Sequence, residues 1–306
     1  MKDIGIKRIC VSVSELEKSL AFFTGEMELT EVCRGRLDEQ TVAAVYGLGS
    51  SAAEYAMLKN EEQPTLLQLI CFTNTPKRPI REGRPSWDFG YYDVAFRAKD
   101  NSWAYEHFRD LGYDYYCPPT RYVADWINLD VLEGVLKGPD AMPMALIERL
   151  KEPIPRFEGM FSIFTDVAQT VASGEEAARF YEGVLGLSKV FDEELPDGLV
   201  DDIVGVPHGT HTRMLMFAGG NTPITECLEY SIKGRPMSDV AKPENVGVFA
   251  TAYETEDLDA LLERCAAAGF ETAVPPLRLR LEPYGEIRLA RVNGPSGMSV
   301  ELFQAL

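Results

Sequence analysis

The sequence predicts an α+β protein assembled from four βαβββ modules. Two observations carry this prediction: segments recur at a nearly constant separation, and each recurring segment holds a strand pattern, a helix pattern and then further strands. A repeated unit constrains a fold more strongly than local propensity, because every copy must adopt the same structure. The length of 306 residues and the hydrophobic content of 45% suit two domains with normal cores.

The longer repeat has a period of about half the chain. Phe22–Met27 (FFTGEM) matches Phe180–Leu185 (FYEGVL) at a separation of 158, and other matched segments lie 156 to 158 residues apart. We therefore predict two similar domains, residues 1–150 and 156–306. The proline-containing segment Lys151–Pro155 is the predicted linker between them.

Each half divides again into two modules. The first opens with the alternating run Ile9–Val13, typical of a half-buried strand, and continues at helical spacing from Leu16 to Phe23. The second opens with Val94–Ala98, and the third and fourth begin near Met160 and Val248. The pattern predicts a strand, a helix and three strands in each module.

Composition excludes several classes of function. A net charge of -18 repels phosphate backbones and anionic lipids, so we expect neither a nucleic-acid nor a membrane partner. The six cysteines are scattered, without a CxxC pair, and are predicted to be reduced core residues. No window reaches the roughly 18 apolar residues of a membrane span, and Met1–Gly5 has no signal-peptide character, which predicts a cytoplasmic protein.

Three phrases resemble the vicinal oxygen chelate superfamily of glyoxalases, methylmalonyl-CoA epimerases, bleomycin-binding proteins and extradiol dioxygenases. They are Ala178–Leu187 (ARFYEGVLGL), Glu256–Phe270, and Gly294–Leu302 (GPSGMSVEL). The resemblance implies that the modules pair into two incomplete barrels, each around a cavity. It fixes the fold better than the chemistry, because one scaffold hosts many reactions.

The resemblance also implies where a metal ion would be held, on the first and last strands of each module. The positions that it assigns are Gly159, Ala250, Glu226 and Glu301 in the C-terminal barrel and Arg8, Asp93, Gln68 and Ala145 in the N-terminal barrel. None of these residues is a histidine, and two carboxylates alone hold a transition metal weakly. We therefore expect no metal ion and no other cofactor.

The candidate active site lies in the C-terminal barrel. Glu226 and Glu301 occupy equivalent module positions and are expected to converge, which would raise the pKa of one of them. His211 is the predicted general base, since its reference pKa lies near 6.5. The expected catalytic residues are therefore Glu301, Glu226 and His211. Four further side chains are expected to bind the substrate: Arg213, Arg291, Tyr253 and His208.

The N-terminal barrel is predicted to be structural. Arg8 and Asp93 begin facing strands of this barrel, so we expect them to form an internal ion pair in place of a metal. The aromatic residues of this half, among them Tyr92, Tyr122 and Trp126, are expected to plug its cavity.

These residues favour a metal-independent lyase, isomerase or hydrolase that acts on a small, partly apolar organic molecule. One alternative is a non-catalytic binding protein similar to the bleomycin-binding members, which predicts an apolar cleft without convergent titratable groups. Another is a metal-dependent extradiol-type dioxygenase with the rearranged ligand set His211, Glu226 and Glu301. The expected partner is a small molecule. A homodimer is compatible with the fold, although no residue pattern marks an interface.

Overall fold

The computed structural model describes residues 4–152 and 158–306, so Pro153–Pro155 of the predicted linker lie outside the described residues. Module 1 contains β1 (Ile6–Ser12), α1 (Leu16–Ala21), β2 (Thr30–Leu37), α2 (Glu39–Tyr46), β3 (Ala53–Lys59) and β4 (Leu66–Phe72). Module 2 contains β5 (Gly90–Ala98), α3 (Asn101–Asp110), β6 (Asp114–Ala124), β7 (Leu129–Lys137) and β8 (Pro143–Arg149).

The second half repeats this order. Module 3 contains β9 (Phe161–Thr170), α4 (Gly174–Ala178), β10 (Ser188–Glu194), α5 (Asp201–Val204), β11 (Thr212–Ala218) and β12 (Ile224–Tyr230). Module 4 contains β13 (Gly247–Glu254), α6 (Leu258–Ala267), β14 (Thr272–Leu281), β15 (Gly285–Asn293) and β16 (Ser299–Ala305). The predicted α+β class and the βαβββ modules are confirmed.

Equivalent residues fix the helix ends in modules 2 and 4. The Asp100 carboxylate accepts a hydrogen bond from the Trp103 amide at the start of α3, and Asp257 accepts one from the Ala260 amide at the start of α6. Such N-caps satisfy an amide that the helix itself leaves unpaired. After both helices a glycine, Gly112 or Gly269, adopts a φ of 86°, which a residue with a Cβ rarely tolerates. Matched caps therefore produce matched helices.

The strands form two eight-stranded sheets. The order is β14-β15-β16-β13-β1-β4-β3-β2 in one sheet and β10-β11-β12-β9-β5-β8-β7-β6 in the other. Within each module the first and last strands are parallel neighbours, and the remaining strands follow as antiparallel hairpins. Two modules meet at their first strands, which pair antiparallel.

The pairing of modules differs from the predicted domains 1–150 and 156–306. Strand β1 pairs with β13, so modules 1 and 4 share one sheet, named here the outer-module sheet. Strand β5 pairs with β9, so modules 2 and 3 share the other, the inner-module sheet. In each module the first strand has one edge that pairs with no strand of the same module. Because this edge is alike in all four modules, the repeat does not determine which two modules pair. The connections 73–89 and 231–246 carry the chain between the sheets.

Helices keep consecutive modules in contact even though their strands lie in different sheets. Phe22 of module 1 packs 5.8 Å from Phe108 of module 2, and Phe180 of module 3 packs 4.8 Å from Phe270 of module 4. A continuous apolar core joins the two sheets through these helices. Within residues 4–152 and 158–306, every helix is too short or too polar to cross a bilayer.

Candidate functional site

The strand register identifies equivalent positions at the centre of the two sheets. Arg8 lies beside Leu66 in the outer-module sheet as Asp166 lies beside Ile224 in the inner-module sheet, at the repeat separation of 158. The other central positions of the two sheets match each other in the same way. The outer-module set is Arg8, Gln68, Ala250 and Glu301, and the inner-module set is Asp166, Glu226, Asp93 and Ala145. One scaffold therefore carries two different chemistries.

The centre of the outer-module sheet is closed by an internal ion pair. The Arg8 guanidinium lies 2.5 Å from the Glu301 carboxylate, and both side chains are fully buried. The same guanidinium stacks over the rings of Tyr284 and Phe303, at 5.6 and 5.5 Å from their centroids. A buried charge is tolerated when it is paired and packed in this way. The paired side chains of Arg8 and Glu301 therefore fill this centre.

The inner-module sheet instead surrounds a cavity of about 150 Å³. Its walls come from β5 to β12, and the segment Leu195–Val204 covers one side. Trp126 also lines the cavity, and its indole N–H donates to Glu193 Oε2 at 3.1 Å. Most of the lining is aliphatic or aromatic. A concave apolar pocket with a few polar groups is the usual form of a small-molecule site.

Four carboxyl groups line this cavity: Asp93, Glu133, Asp166 and Glu226. Strands β5 and β12 lie on either side of β9. Asp93 of β5 and Glu226 of β12 are both paired directly with Ala168 of β9 in the strand register. The Tyr122 hydroxyl donates to Glu133 Oε2 at 3.1 Å. Asp93 Oδ1 is buried and has no hydrogen-bond partner among the described residues.

Burial and mutual repulsion shift the pKa values of these groups upward. Burial raises the pKa of Asp166 to about 6. Burial and then the charge of Asp166 raise the pKa of Glu133 to about 7. The same two causes, in the same order, hold the pKa values of Asp93 and Glu226 well above their usual range. Near neutral pH the cavity therefore contains an ionised carboxylate, Asp166, beside protonated carboxyl groups.

The structure separates the predicted catalytic residues. Glu226 lies in the cavity, but Glu301 lies in the outer-module sheet with Arg8, so the expected convergence of Glu226 and Glu301 is wrong. The cause is the pairing of modules 1 with 4 and 2 with 3. The His211 side chain is 70% exposed, and its Nδ1 lies 3.1 Å from Asp197 outside the cavity. That position gives His211 no contact with Glu226 or Glu301.

The predicted substrate-binding residues also lie outside the cavity. Arg213 directly precedes the cavity-lining Met214 on β11 and points to the opposite face, toward Asp192 and Glu175. Arg291 donates to Ser299 and to the Val45 carbonyl in the outer-module sheet. Tyr253 is buried, with its hydroxyl 3.0 Å from the Thr225 hydroxyl.

His208 lies on the surface. Its side chain is 77% exposed, and its Nε2 lies 3.4 Å from Asp202. None of the four predicted substrate-binding residues therefore lines the inner-module cavity.

Two expectations for the first half are corrected. Arg8 pairs with Glu301 rather than with Asp93, which lies in the other sheet. Tyr92, Tyr122 and Trp126 do not plug a closed barrel; they line the open cavity. Residues of the first half that the sequence predicted to be structural therefore line the inner-module cavity.

Sequence reasoning missed two of the four carboxyl groups. It placed Gly159 at the first-strand position of module 3, whereas the register puts Asp166 there. The repeat separation of 158, applied to Arg8, leads directly to Asp166. Glu133 has a weaker signal: it alternates with Val131 and Val135 on β7, and Val131 lines the cavity.

The fold family implies a divalent ion at the central positions, but the residues present do not fit one. The guanidinium of Arg8 fills the outer-module centre. The inner-module centre offers only carboxylate oxygens, and within residues 4–152 and 158–306 no three His, Cys, Asp or Glu side chains are arranged to hold an ion. Structural and catalytic metal sites need three or four convergent ligands. The chemistry of this cavity is therefore derived from its own carboxyl groups.

Comparisons with known proteins agree with this architecture. Residues 163–302 match the family model of the glyoxalase/bleomycin resistance protein/dioxygenase superfamily. Glyoxalase I from Zea mays superposes with a TM-score of 0.65 at 16% identity, over 99% of this chain and 92% of that chain. A putative dioxygenase from Bacillus subtilis superposes with a TM-score of 0.59 at 13% identity, over 99% and 86%. No curated protein matches the sequence. At these identities the two structures show the shared vicinal oxygen chelate fold alone.

Proposed function

Since residues 163–302 belong to the glyoxalase/bleomycin resistance protein/dioxygenase superfamily, we propose that this protein is an enzyme that moves protons on a small, partly apolar organic molecule. The reaction class is isomerisation or elimination, carried out without a metal ion. The site is the inner-module cavity rather than the predicted site around Glu301 and His211. The observation that carries the proposal is the set of carboxyl groups with separated pKa values inside an apolar cavity.

Asp166 and Glu226 have complementary roles in this proposal. Burial raises the pKa of Asp166 to about 6, so at neutral pH its carboxylate is the general base. Glu226 has a pKa well above its usual range, because of burial and then the charge of Asp166, so its carboxyl group is the general acid. Two carboxyl groups whose environments separate their pKa values form an acid–base pair.

The proposed step conserves atoms and electrons. The Asp166 carboxylate takes a proton from the carbon beside a carbonyl group, while the Glu226 carboxyl donates its proton to the carbonyl oxygen. The product is an enol. In an isomerase the enol hydroxyl returns its proton to Glu226 while Asp166 gives its proton back to the carbon skeleton at a new position or face. In a lyase the enol hydroxyl likewise returns its proton to Glu226, and the leaving group departs from the next carbon with its bonding electron pair and takes up the proton held by Asp166.

The carboxyl groups inside the apolar cavity support catalysis over passive binding. A non-catalytic binding protein predicts a cleft without convergent titratable groups, whereas four carboxyl groups share this cavity. Burying four such groups is unfavourable for stability, since each must lose water. Perturbed carboxyl groups in a cleft are typical of functional sites.

We expect the protein to catalyse exchange of carbon-bound protons in small apolar carbonyl compounds. The measurement is loss of the proton NMR signal beside the carbonyl in D₂O, across a panel of aryl and alkyl ketones and aldehydes. Ala145→Phe is expected to abolish exchange, because residue 145 lines the cavity and a phenyl ring fills it. Ala266→Phe, on the exposed face of α6, is the matched control and should retain the wild-type rate.

Exchange that persists unchanged in Ala145→Phe would place the reaction outside the cavity. Failure of the wild-type protein to exchange any member of the panel would likewise overturn the proposal.

A further inference from the structure

The inner-module cavity has an unbalanced charge. Four carboxyl groups line it, and Arg149 is the only lysine or arginine among the lining residues. Arg149 already pairs with Glu152 at 2.7 Å. Arg81, behind Asp93, donates to backbone carbonyls including those of Tyr91 and Asp88. Among the described residues, neither arginine donates a hydrogen bond to the four carboxyl groups, although the charge of Arg81 acts on Asp93 and that of Arg149 acts on Asp166.

Asp93 shows most directly that a donor is missing. Its side chain is 5% exposed, it lines the cavity, and Oδ1 has no hydrogen-bond partner among the described residues. A buried carboxyl oxygen without a hydrogen-bond partner destabilises the folded protein. A ligand that donates an N–H from within the cavity would satisfy it.

In the outer-module sheet, a cationic side chain of the protein itself pairs with the buried carboxylate at the equivalent centre. There the position equivalent to Asp166 is Arg8, whose guanidinium lies against Glu301 and over two aromatic rings. The chain thus provides its own organic cation, held between a carboxylate and π faces. The inner-module sheet keeps carboxyl groups and aromatic walls, but the equivalent side chain is an acid.

The walls suit a cation attached to an apolar body. Tyr92, Tyr122, Trp126 and Phe191 line the cavity together with aliphatic side chains. Aromatic faces attract ammonium groups, and they do so more strongly where water is excluded. The volume of about 150 Å³ equals that of an engineered protein cavity that binds benzene, so a single substituted ring fits.

We propose that the inner-module cavity recognises an organic ammonium group, and hence that the carbonyl substrate also carries an amine on its small apolar body. This inference rests on the proposed function, because it names the substrate class of the same site. The ammonium group lies against Asp93 and supplies the donor that Asp93 Oδ1 lacks, while Glu226 keeps its proton as the general acid. Binding displaces the proton of Asp93, because a nearby cation favours the ionised carboxylate.

The test uses three ring compounds of matched size, benzylamine, benzyl alcohol and benzoate, titrated into the wild-type protein by calorimetry. We expect benzylamine to bind about tenfold or more tightly than benzyl alcohol, and benzoate to bind least. Affinity for benzylamine should rise between about pH 5 and about pH 8, with protons released in buffers of different ionisation enthalpy. The groups that face the ammonium in this range are Asp93, Glu133, Asp166 and Glu226, with Arg149 at the rim.

Asp93→Asn should weaken benzylamine about tenfold and leave benzyl alcohol unchanged, whereas Asp259→Asn, an exposed carboxylate on α6, should change neither. Equal or tighter binding of benzyl alcohol in the wild-type protein overturns the ammonium inference. So does binding of none of the three compounds. In both cases proton exchange that is lost in Ala145→Phe would still support the proposed function, so the two failures are distinguishable.

Discussion

Arg8→Met is expected to lower the free energy of unfolding by about 3–5 kcal/mol. The substitution leaves the Glu301 carboxylate fully buried without its cation, and Glu301 Oε1 already has no hydrogen-bond partner among the described residues. An uncompensated buried charge is far more unfavourable than a missing surface pair. Urea unfolding at neutral pH measures the change.

Two further variants separate the charge effect from packing. The double variant Arg8→Met with Glu301→Leu removes both charges and should recover most of the loss, as apolar replacements of buried pairs often do. Arg288→Met removes the same side chain from an exposed pair with Asp259 and should change stability by less than about 1 kcal/mol. A loss below about 1 kcal/mol in Arg8→Met would show that the buried pair does not hold the outer-module sheet together.

Asp166→Asn and Glu226→Gln are each expected to reduce kcat by about 10²–10⁴-fold, with a smaller change in KM. Both substitutions keep the size of the side chain and remove only its ability to transfer a proton. In the wild-type protein kcat should rise as the pH passes about 6, where Asp166 becomes ionised. Steady-state kinetics on a compound found in the exchange panel provide the measurement.

Asp259→Asn, an exposed carboxylate paired with Arg288, is the control for these kinetics and should retain the wild-type kcat. If Asp166→Asn and Glu226→Gln also retain it while Glu301→Gln is inactive, the reaction belongs to the outer-module sheet, and the assignment of the inner-module cavity is wrong.

The repeat made most of the fold predictable. The FFTGEM and FYEGVL segments and the capped helices α3 and α6 are local features, and local features determine each module. The pairing of modules is a long-range property. Strand β1 meets β13 rather than β5, and nothing in a repeated strand pattern distinguishes these partners. The expected pairing of modules within each half was therefore wrong, although the modules themselves are confirmed.

The candidate site was only partly predictable for the same reason. Glu226 was identified because its module position is central whichever module it pairs with. Glu301 was expected beside it, and the module pairing separates the two. Asp166 could have been found by adding the repeat separation of 158 to Arg8. The unpaired Oδ1 of Asp93 could not, because it depends on side-chain packing that no sequence pattern encodes.

The central claim is that the inner-module cavity holds carboxyl groups that titrate near neutral pH without a metal ion. The most direct measurement is a pH titration of the side-chain carboxyl ¹³C signals by NMR, assigned with Asp166→Asn and Glu226→Gln, with and without added Mg²⁺ or Zn²⁺. We predict that Asp166 titrates with a pKa of about 6 and Glu226 with a pKa well above its usual range, both unchanged by either ion. Ordinary pKa values near 4 for both groups, or values that fall on binding one equivalent of metal, would contradict the account.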